Sequence, residues 1–153
     1  MQTKILSSIL VVGLLVGLCA SADARTNSGH GGRTIVPGDS GCIVWSNHGV
    51  RNSCGYDVLY EVPLEVDNFP NGGVKTVGVS GYGTSASKCI GMSTDGFGTV
   101  VWQTNWVNFP NNSTIPANVG FSLGNVGITG ASRVFVQCWL STNAVLHGLS
   151  WNP

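Results

Sequence analysis

Short β-prone runs, each ended within a few positions by turn-forming residues, constrain the fold of this chain more than any other feature. The sequence has 22 glycines, and pairs such as Gly72-Gly73 and Asp95-Gly96 separate the runs. These residues favour turns and destabilise the interior of a helix. No window shows the 3.6-residue period of an amphipathic helix. The pattern predicts an all-β protein.

Seven or eight short strands at this spacing are typical of an antiparallel β-sandwich or barrel, and we favour the sandwich. Alternation is clearest in Arg133–Leu140, where Val134, Val136, Cys138 and Leu140 share one face. Pro63 interrupts the second run and predicts an edge or bulged strand there. The predicted strands are 42–45, 56–62, 74–79, 88–92, 99–107, 119–123, 133–140 and 145–151.

The first residues have the pattern of a secretory signal peptide. Lys4 precedes an apolar run from Ile5 to Leu18, and small A-x-A cleavage patterns follow. The run is shorter than the ~20 apolar residues of a membrane-spanning helix, so we expect no span in the mature protein. We predict a signal peptide over residues 1–22, with cleavage after 22 or 24. A flexible glycine-rich arm is predicted over residues 23–40, followed by a sandwich domain over 41–153.

Four cysteines remain after Cys19 leaves with the signal peptide: Cys42, Cys54, Cys89 and Cys138. An even number in an exported domain indicates two disulfides, with three possible connectivities. A tetrahedral metal site would favour C-x-x-C pairs, and none is present. We favour Cys42–Cys54 and Cys89–Cys138, with the other two connectivities left open.

The charge pattern excludes several classes of partner. Charged residues make up 9% of the chain, seven basic against seven acidic. The basic residues are scattered, so we expect no nucleic-acid partner and no binding to an anionic membrane surface. His30, His48 and His147 are too few and too dispersed to indicate a metal site. We expect no cofactor.

Two sequence patterns suggest a hydrolase, but neither provides a complete set of catalytic residues. Gly38-Asp39-Ser40-Gly41 resembles the nucleophile segment of trypsin-like proteases and the start of GDSL-type lipase motifs, but the required partner residues are missing. A turn entering the first strand explains it better. Glu61, Glu65 and Asp67 cluster along the chain, as a glycosidase pair would require, but a charged outer face is the favoured explanation and needs no catalysis. No catalytic residue is predicted.

Tryptophans are the predicted ligand-binding residues. Trp102 and Trp106 alternate onto one face of the 99–107 run, where two exposed rings would stack on sugars. Core positions are the favoured interpretation of both rings, because a sandwich needs bulky inward residues. Trp139 has Arg133 and Gln137 as same-face neighbours, which predicts a more exposed ring.

Taken together, these features predict a secreted, extracellular or periplasmic, non-catalytic module with a binding or structural role. An extracellular glycan or protein is the expected partner, and Trp102, Trp106 and Trp139 are the expected contacts. The alternatives are a small hydrolase using Ser40 or the acidic cluster, and an inhibitor or toxin-like protein docking through the 108–118 loop. Asn111 and Asn112 in that loop fit the N-glycosylation pattern.

The later segments resemble small exported bacterial β-sandwich proteins of unassigned function. The resemblance implies a bacterial origin and a β fold, and it implies no activity. Its motifs are Gly49-Val50-Arg51-Asn52, Val62-Pro63-Leu64, Val136-Gln137-Cys138-Trp139-Leu140 and Leu146-His147-Gly148-Leu149.

Overall fold

A computed structural model describes residues 25–47, 49–66, 73–84, 86–110, 120–131 and 133–152. The predicted signal peptide, His48, Asp67 and the glycosylation patterns at Asn111 and Asn112 lie outside these residues. Within them, no helix is long and apolar enough to cross a membrane.

Twelve strands and two short 3₁₀ helices make up the described part of the chain. The 3₁₀ helices are Gly29–Gly31 and Pro37–Cys42. The strands are β1 (Arg25–Ser28), β2 (Arg33–Thr34), β3 (Ile43–Ser46), β4 (Gly49–Asn52), β5 (Val58–Leu64), β6 (Val74–Tyr82), β7 (Lys88–Thr94), β8 (Val100–Gln103), β9 (Val107–Asn108), β10 (Gly120–Gly127), β11 (Arg133–Leu140) and β12 (Val145–Trp151).

The strands form two antiparallel sheets that enclose one core, which confirms the predicted β-sandwich. The first sheet has the order β10-β6-β12-β4-β3, with β1 also paired to β12. The second has the order β2-β5-β11-β7-β8, with β9 also paired to β7. Every second residue of β5 and β11 is buried, as the alternation predicts. The structure has more strands than the seven or eight predicted. The additional ones, β1, β2, β4 and β9, are too short to show a clear alternation of side chains in the sequence.

The core joins the inward faces of both sheets. From the second sheet it takes Val58, Tyr60, Val62, Val136 and Leu140, and from the first Val77, Val79, Leu146, Leu149 and Trp151. Cys89 and Cys138 lie opposite each other on β7 and β11 and form a disulfide within this core. Cys42 and Cys54 form the second disulfide. The preferred connectivity is therefore confirmed.

The predicted flexible arm is wrong for residues 25–40, which belong to the sandwich. All four residues of β1 pair with β12, and β2 pairs with Glu61 and Tyr60 of β5. Gly29 between them is buried, and its carbonyl accepts a hydrogen bond from the Tyr60 hydroxyl at 2.9 Å. This segment contributes backbone hydrogen bonds rather than apolar side chains, so composition does not reveal its role.

The 99–107 strand is also corrected. It is two strands, β8 and β9, which pair with different ends of β7. Residues 104–106 between them lie outside any strand. The Thr104 hydroxyl accepts a hydrogen bond from the Gly91 amide at 3.0 Å, and the Thr104 amide donates to the Gly91 carbonyl at 2.9 Å. A side chain that bonds the neighbouring backbone competes with the regular ladder, and it interrupts the run here.

Candidate binding face on the second sheet

The outer face of the second sheet carries a band of half-exposed aromatic, apolar and polar side chains. On β11, Phe135, Gln137 and Trp139 are half-buried and point away from the core. Strand register places three rows across β5, β11 and β7. The rows are Leu59–Trp139–Lys88, Glu61–Gln137–Ile90 and Pro63–Phe135–Met92. We call these nine residues, of which Ile90 is buried, together with Trp106, the binding face.

Trp106 and Trp139 lie at one end of this face, on either side of Lys88. Lys88 is the cross-strand partner of Trp139. Its ammonium also lies 5.3 Å from the centroid of the Trp106 ring, within range of a cation–π interaction. Trp106 stays 40% exposed, although Lys88 restrains its indole. Two of the three predicted tryptophans therefore neighbour the same lysine, Trp106 through its ring and Trp139 through the strand register.

Trp102 does not belong to this pair. It is the register partner of Ser93, whose hydroxyl is buried and donates to the Gly127 carbonyl at 2.7 Å. The indole lies against the backbone of β10 in the first sheet, where a Cβ on Gly127 would be 3.0 Å from the ring. Its Nε1 donates to the Asn125 carbonyl at 3.3 Å. Trp102 thus covers the edge between the two sheets.

Two interpretations of these rings are wrong. Trp102 and Trp106 do not share a strand face, because the strand breaks at 104–106 and the two rings contact different strands. Neither ring is in the core, since Trp102 is 51% exposed and Trp106 is 40% exposed. Trp151 is the tryptophan that fills the core, and its Nε1 donates to the Glu65 carbonyl at 2.8 Å.

A polar network occupies the middle row of the binding face. The two carboxylate oxygens of Glu61 accept hydrogen bonds from Arg33 and Gln137, each at 3.1 Å. Arg33 comes from β2 and Gln137 from β11, so this carboxylate links the edge strand to the centre of the sheet. Glu61 was predicted as a member of an acidic cluster, and here its carboxylate anchors neighbouring side chains.

The remaining sequence candidates for catalysis lie apart from one another. Ser40 is exposed on the second 3₁₀ helix, and its neighbour Asp39 accepts a hydrogen bond from Tyr56 at 3.1 Å. His30 stacks on Trp45 and lies 2.8 Å from the Ser46 carbonyl. In the part of the chain that the structure describes, no histidine bonds Ser40. Glu65 lies 3.8 Å from Arg25 in an exposed ion pair.

Two further surfaces were not found by sequence reasoning. The outer face of the first sheet has a groove of about 730 Å³, crossed by the row Thr26–Ser150–Gly78–Ser122. Small hydroxyl residues of this kind give no periodic signal. The second is the turn between β7 and β8, where Phe97 is 97% exposed. Metal sites are not evident: among the described residues, no three His, Cys, Asp or Glu side chains cluster as ligands.

Comparison with known proteins gives little further information. No protein-family model matches the chain, and no curated protein matches it. Among solved structures, the chain is similar to the K1 cleaved adhesin domain of Lys-gingipain (Kgp) from Porphyromonas gingivalis W83. The two are 13% identical, the match covers 86% of this chain and 88% of that chain, and the TM-score is 0.30. A TM-score this low carries no argument, so the resemblance to small exported bacterial proteins stays a prediction.

Proposed function

We propose that this protein is a secreted, non-catalytic module that holds an extracellular glycan on the binding face. The observation that supports the proposal is the Trp106–Lys88–Trp139 group on the outer face of the second sheet. Indole rings offer flat apolar surface at little entropic cost, and they suit the apolar faces of sugar rings. Lys88, Gln137 and Asn108 add hydrogen-bonding groups on the same side of the sheet.

The rigidity of the face supports the same proposal. β11 is paired on both sides along nearly its full length. The Cys89–Cys138 disulfide joins the residues that are next to Lys88 and Trp139 in the chain. A rigid surface loses less conformational entropy when a ligand binds. Lys88 and Trp139 lie on these strands, which position side chains better than loops do.

The location is part of the proposal. The pattern of residues 1–22 supports export, and two disulfides are typical of proteins that fold in an oxidising compartment. We propose an extracellular or periplasmic location after signal cleavage. Intact mass of the exported protein tests this, because the mature chain should lack the first 22 or 24 residues.

Glycan binding is tested by affinity electrophoresis of the purified protein against a panel of soluble polysaccharides. We expect the Trp106→Ala and Trp139→Ala variants to lose binding at least tenfold while remaining folded. Trp45→Ala is the matched control, because Trp45 is an exposed tryptophan on β3 of the other sheet. Binding by both variants at the level of the parent protein would contradict the proposed site.

A protein partner is the second candidate, and the exposed Phe97 favours it. The Asp95 side chain accepts hydrogen bonds from the amides of Phe97 at 2.9 Å and Thr99 at 2.8 Å, which fixes the turn that presents this ring. Aromatic side chains are enriched among the residues that contribute most to binding at protein interfaces. Crosslinking from the exposed position 99 of the same turn in the native secretome tests it, with Phe97→Ser as the variant expected to lose the crosslinked partner.

A further inference from the structure

A pocket opens at the end of the binding face opposite Trp106 and Trp139. It has a volume of about 420 Å³ and lies between the segment 31–33 and the start of β11. Pro63 and Leu64 of β5 and Phe135 of β11 provide its apolar lining. Its charged lining is Arg33 of β2, Glu61 of β5 and Arg133 of β11. Phe135 and Pro63 are cross-strand partners in the binding face, so the pocket continues that face.

The two arginines differ in how they are held. Arg33 donates to Glu61 at 3.1 Å, while Gln137 donates to the other oxygen of the same carboxylate. Both oxygens of Glu61 are therefore engaged. Arg133 is exposed and makes no hydrogen bond or ion pair within the described part of the chain. The pocket thus has one arginine held in place and one available to a ligand.

Charge on this side of the sheet is unbalanced, although the whole chain has seven basic and seven acidic residues. Arg33, Arg133 and Lys88 face the ligand side of the second sheet, and Glu61 is the acidic residue among them. Lys88 and Arg133 sit near opposite ends of β11, six residues apart in register, which is roughly 20 Å of strand. A ligand lying along β11 meets a cation at each end.

We infer that the pocket between Arg33 and Arg133 receives the carboxylate of a uronic acid, so that the glycan held on the binding face is acidic. The inference rests on the proposed function and specifies its substrate class. A guanidinium donates two parallel hydrogen bonds to a carboxylate, which makes arginine selective for this group. Phe135 and Pro63 provide the apolar surface against which the sugar ring carrying that carboxylate packs.

The test compares two probes with the same sugar backbone: hexagalacturonate, and hexagalacturonate whose carboxylates are methyl-esterified. Calorimetry with the full purified protein at pH 7 measures both affinities at low and high salt. We expect the acidic form to bind at least tenfold tighter at low salt, and the difference to shrink as salt screens the charges.

Variants distinguish the recognition of the carboxylate from the binding of the glycan on which it depends. Arg133→Gln should remove the preference for the acidic form and leave affinity for the esterified form unchanged. Arg51→Gln, an exposed arginine on β4 of the first sheet, is the matched control and should change neither. Equal binding of the two forms by the parent protein overturns the acidic assignment and leaves the glycan proposal standing. Binding of neither form, together with no binding across the polysaccharide panel, overturns both.

Discussion

At the scale of single residues, one buried side chain connects distant parts of the chain. Asn52 on β4 is fully buried. Its Nδ2 donates to the Tyr56 carbonyl at 2.7 Å and to the Leu140 carbonyl at 2.8 Å, and its Oδ1 accepts from the Cys54 amide at 2.9 Å. Asn52 thus ties the segment closed by the Cys42–Cys54 disulfide to the end of β11.

Replacing Asn52 should therefore be strongly destabilising. Asn52→Ala removes three hydrogen bonds, of which the one to the Leu140 carbonyl is buried and the other two are partly buried, so we expect the free energy of unfolding to fall by about 2–4 kcal/mol. Urea unfolding measures the change. Asn47→Ala, at an exposed turn position, is the control and should change stability by less than about 0.5 kcal/mol. Equal stability of the two variants would show that the Asn52 hydrogen bonds contribute little.

Tyr60 makes the stability of the protein depend on pH in the alkaline range. Burial raises its pKa from 10.0 to about 12, partly opposed by a backbone hydrogen bond from Gly32. The neutral phenol is the favoured form in the folded protein, whereas the unfolded chain loses this proton near pH 10. The stabilising contribution is therefore complete below pH 10 and is lost as pH rises from 10 to about 12.

Thermal melts across pH 9–12 measure this effect. The parent protein should lose stability above pH 10, while Tyr60→Phe should lose less over the same window. At neutral pH the variant should be about 1 kcal/mol less stable, because it lacks the hydrogen bond to the Gly29 carbonyl. Tyr82→Phe, at the half-buried tyrosine that ends β6, is the control. Parallel pH profiles for the parent and Tyr60→Phe would exclude Tyr60 as the cause.

At the scale of elements, the two disulfides constrain segments of very different length. Cys89–Cys138 joins neighbouring strands across 49 positions, and Cys42–Cys54 closes a segment of 12 positions. In the chain-entropy model, the longer closed loop restricts the unfolded chain more. Cys89 and Cys138 are also fully buried in the core, whereas Cys42–Cys54 lies near the surface on its Cys54 side.

Removing the disulfides separately should reveal this difference. From chain entropy alone, the free energy of unfolding should fall by about 4 kcal/mol in Cys89→Ala/Cys138→Ala and by about 3 kcal/mol in Cys42→Ala/Cys54→Ala. Lost packing at the buried pair widens the gap. Denaturant unfolding of the two double variants under identical conditions gives the comparison. A larger loss from the Cys42–Cys54 pair would contradict the ranking.

At the scale of the whole molecule, the N-terminal segment belongs to both sheets. β1 pairs with β12 of the first sheet, and β2 pairs with β5 of the second. The short 3₁₀ helix between them carries Gly29, the acceptor for Tyr60. The segment therefore links the two layers along one side of the sandwich.

Deleting this segment should destabilise the entire domain rather than leave it unchanged. A chain beginning at Gly41 lacks the β1 and β2 ladders and exposes the edges of β12 and β5. We expect its Tm to fall by roughly 10 °C relative to a chain beginning at Arg25. Calorimetry of both chains tests this. Identical melting of the two would mean that residues 25–40 contribute no stability, as expected of a flexible arm.

The sequence alone determined the fold class, most strand positions and the inward-facing residues of β5 and β11. These properties depend on the local alternation of apolar and polar side chains, which can be recognised directly in the sequence. The favoured disulfide pairing was also correct, although two other connectivities were open. At the site, the sequence indicated Trp106 and Trp139 as candidate ligand-binding residues, but it predicted Trp106 and Trp102 on one face of an unbroken strand.

Only the tertiary structure decided which side chains meet. Lys88 lies opposite Trp139 because β7 pairs with β11 in one particular register, and Arg33 reaches Glu61 because β2 adds to β5. The alternation along each strand restricts the register of a pairing, but no local pattern says which strands, far apart in the chain, will pair. The same long-range pairing incorporated residues 25–40 into the sandwich and brought Trp102 to β10 in the first sheet.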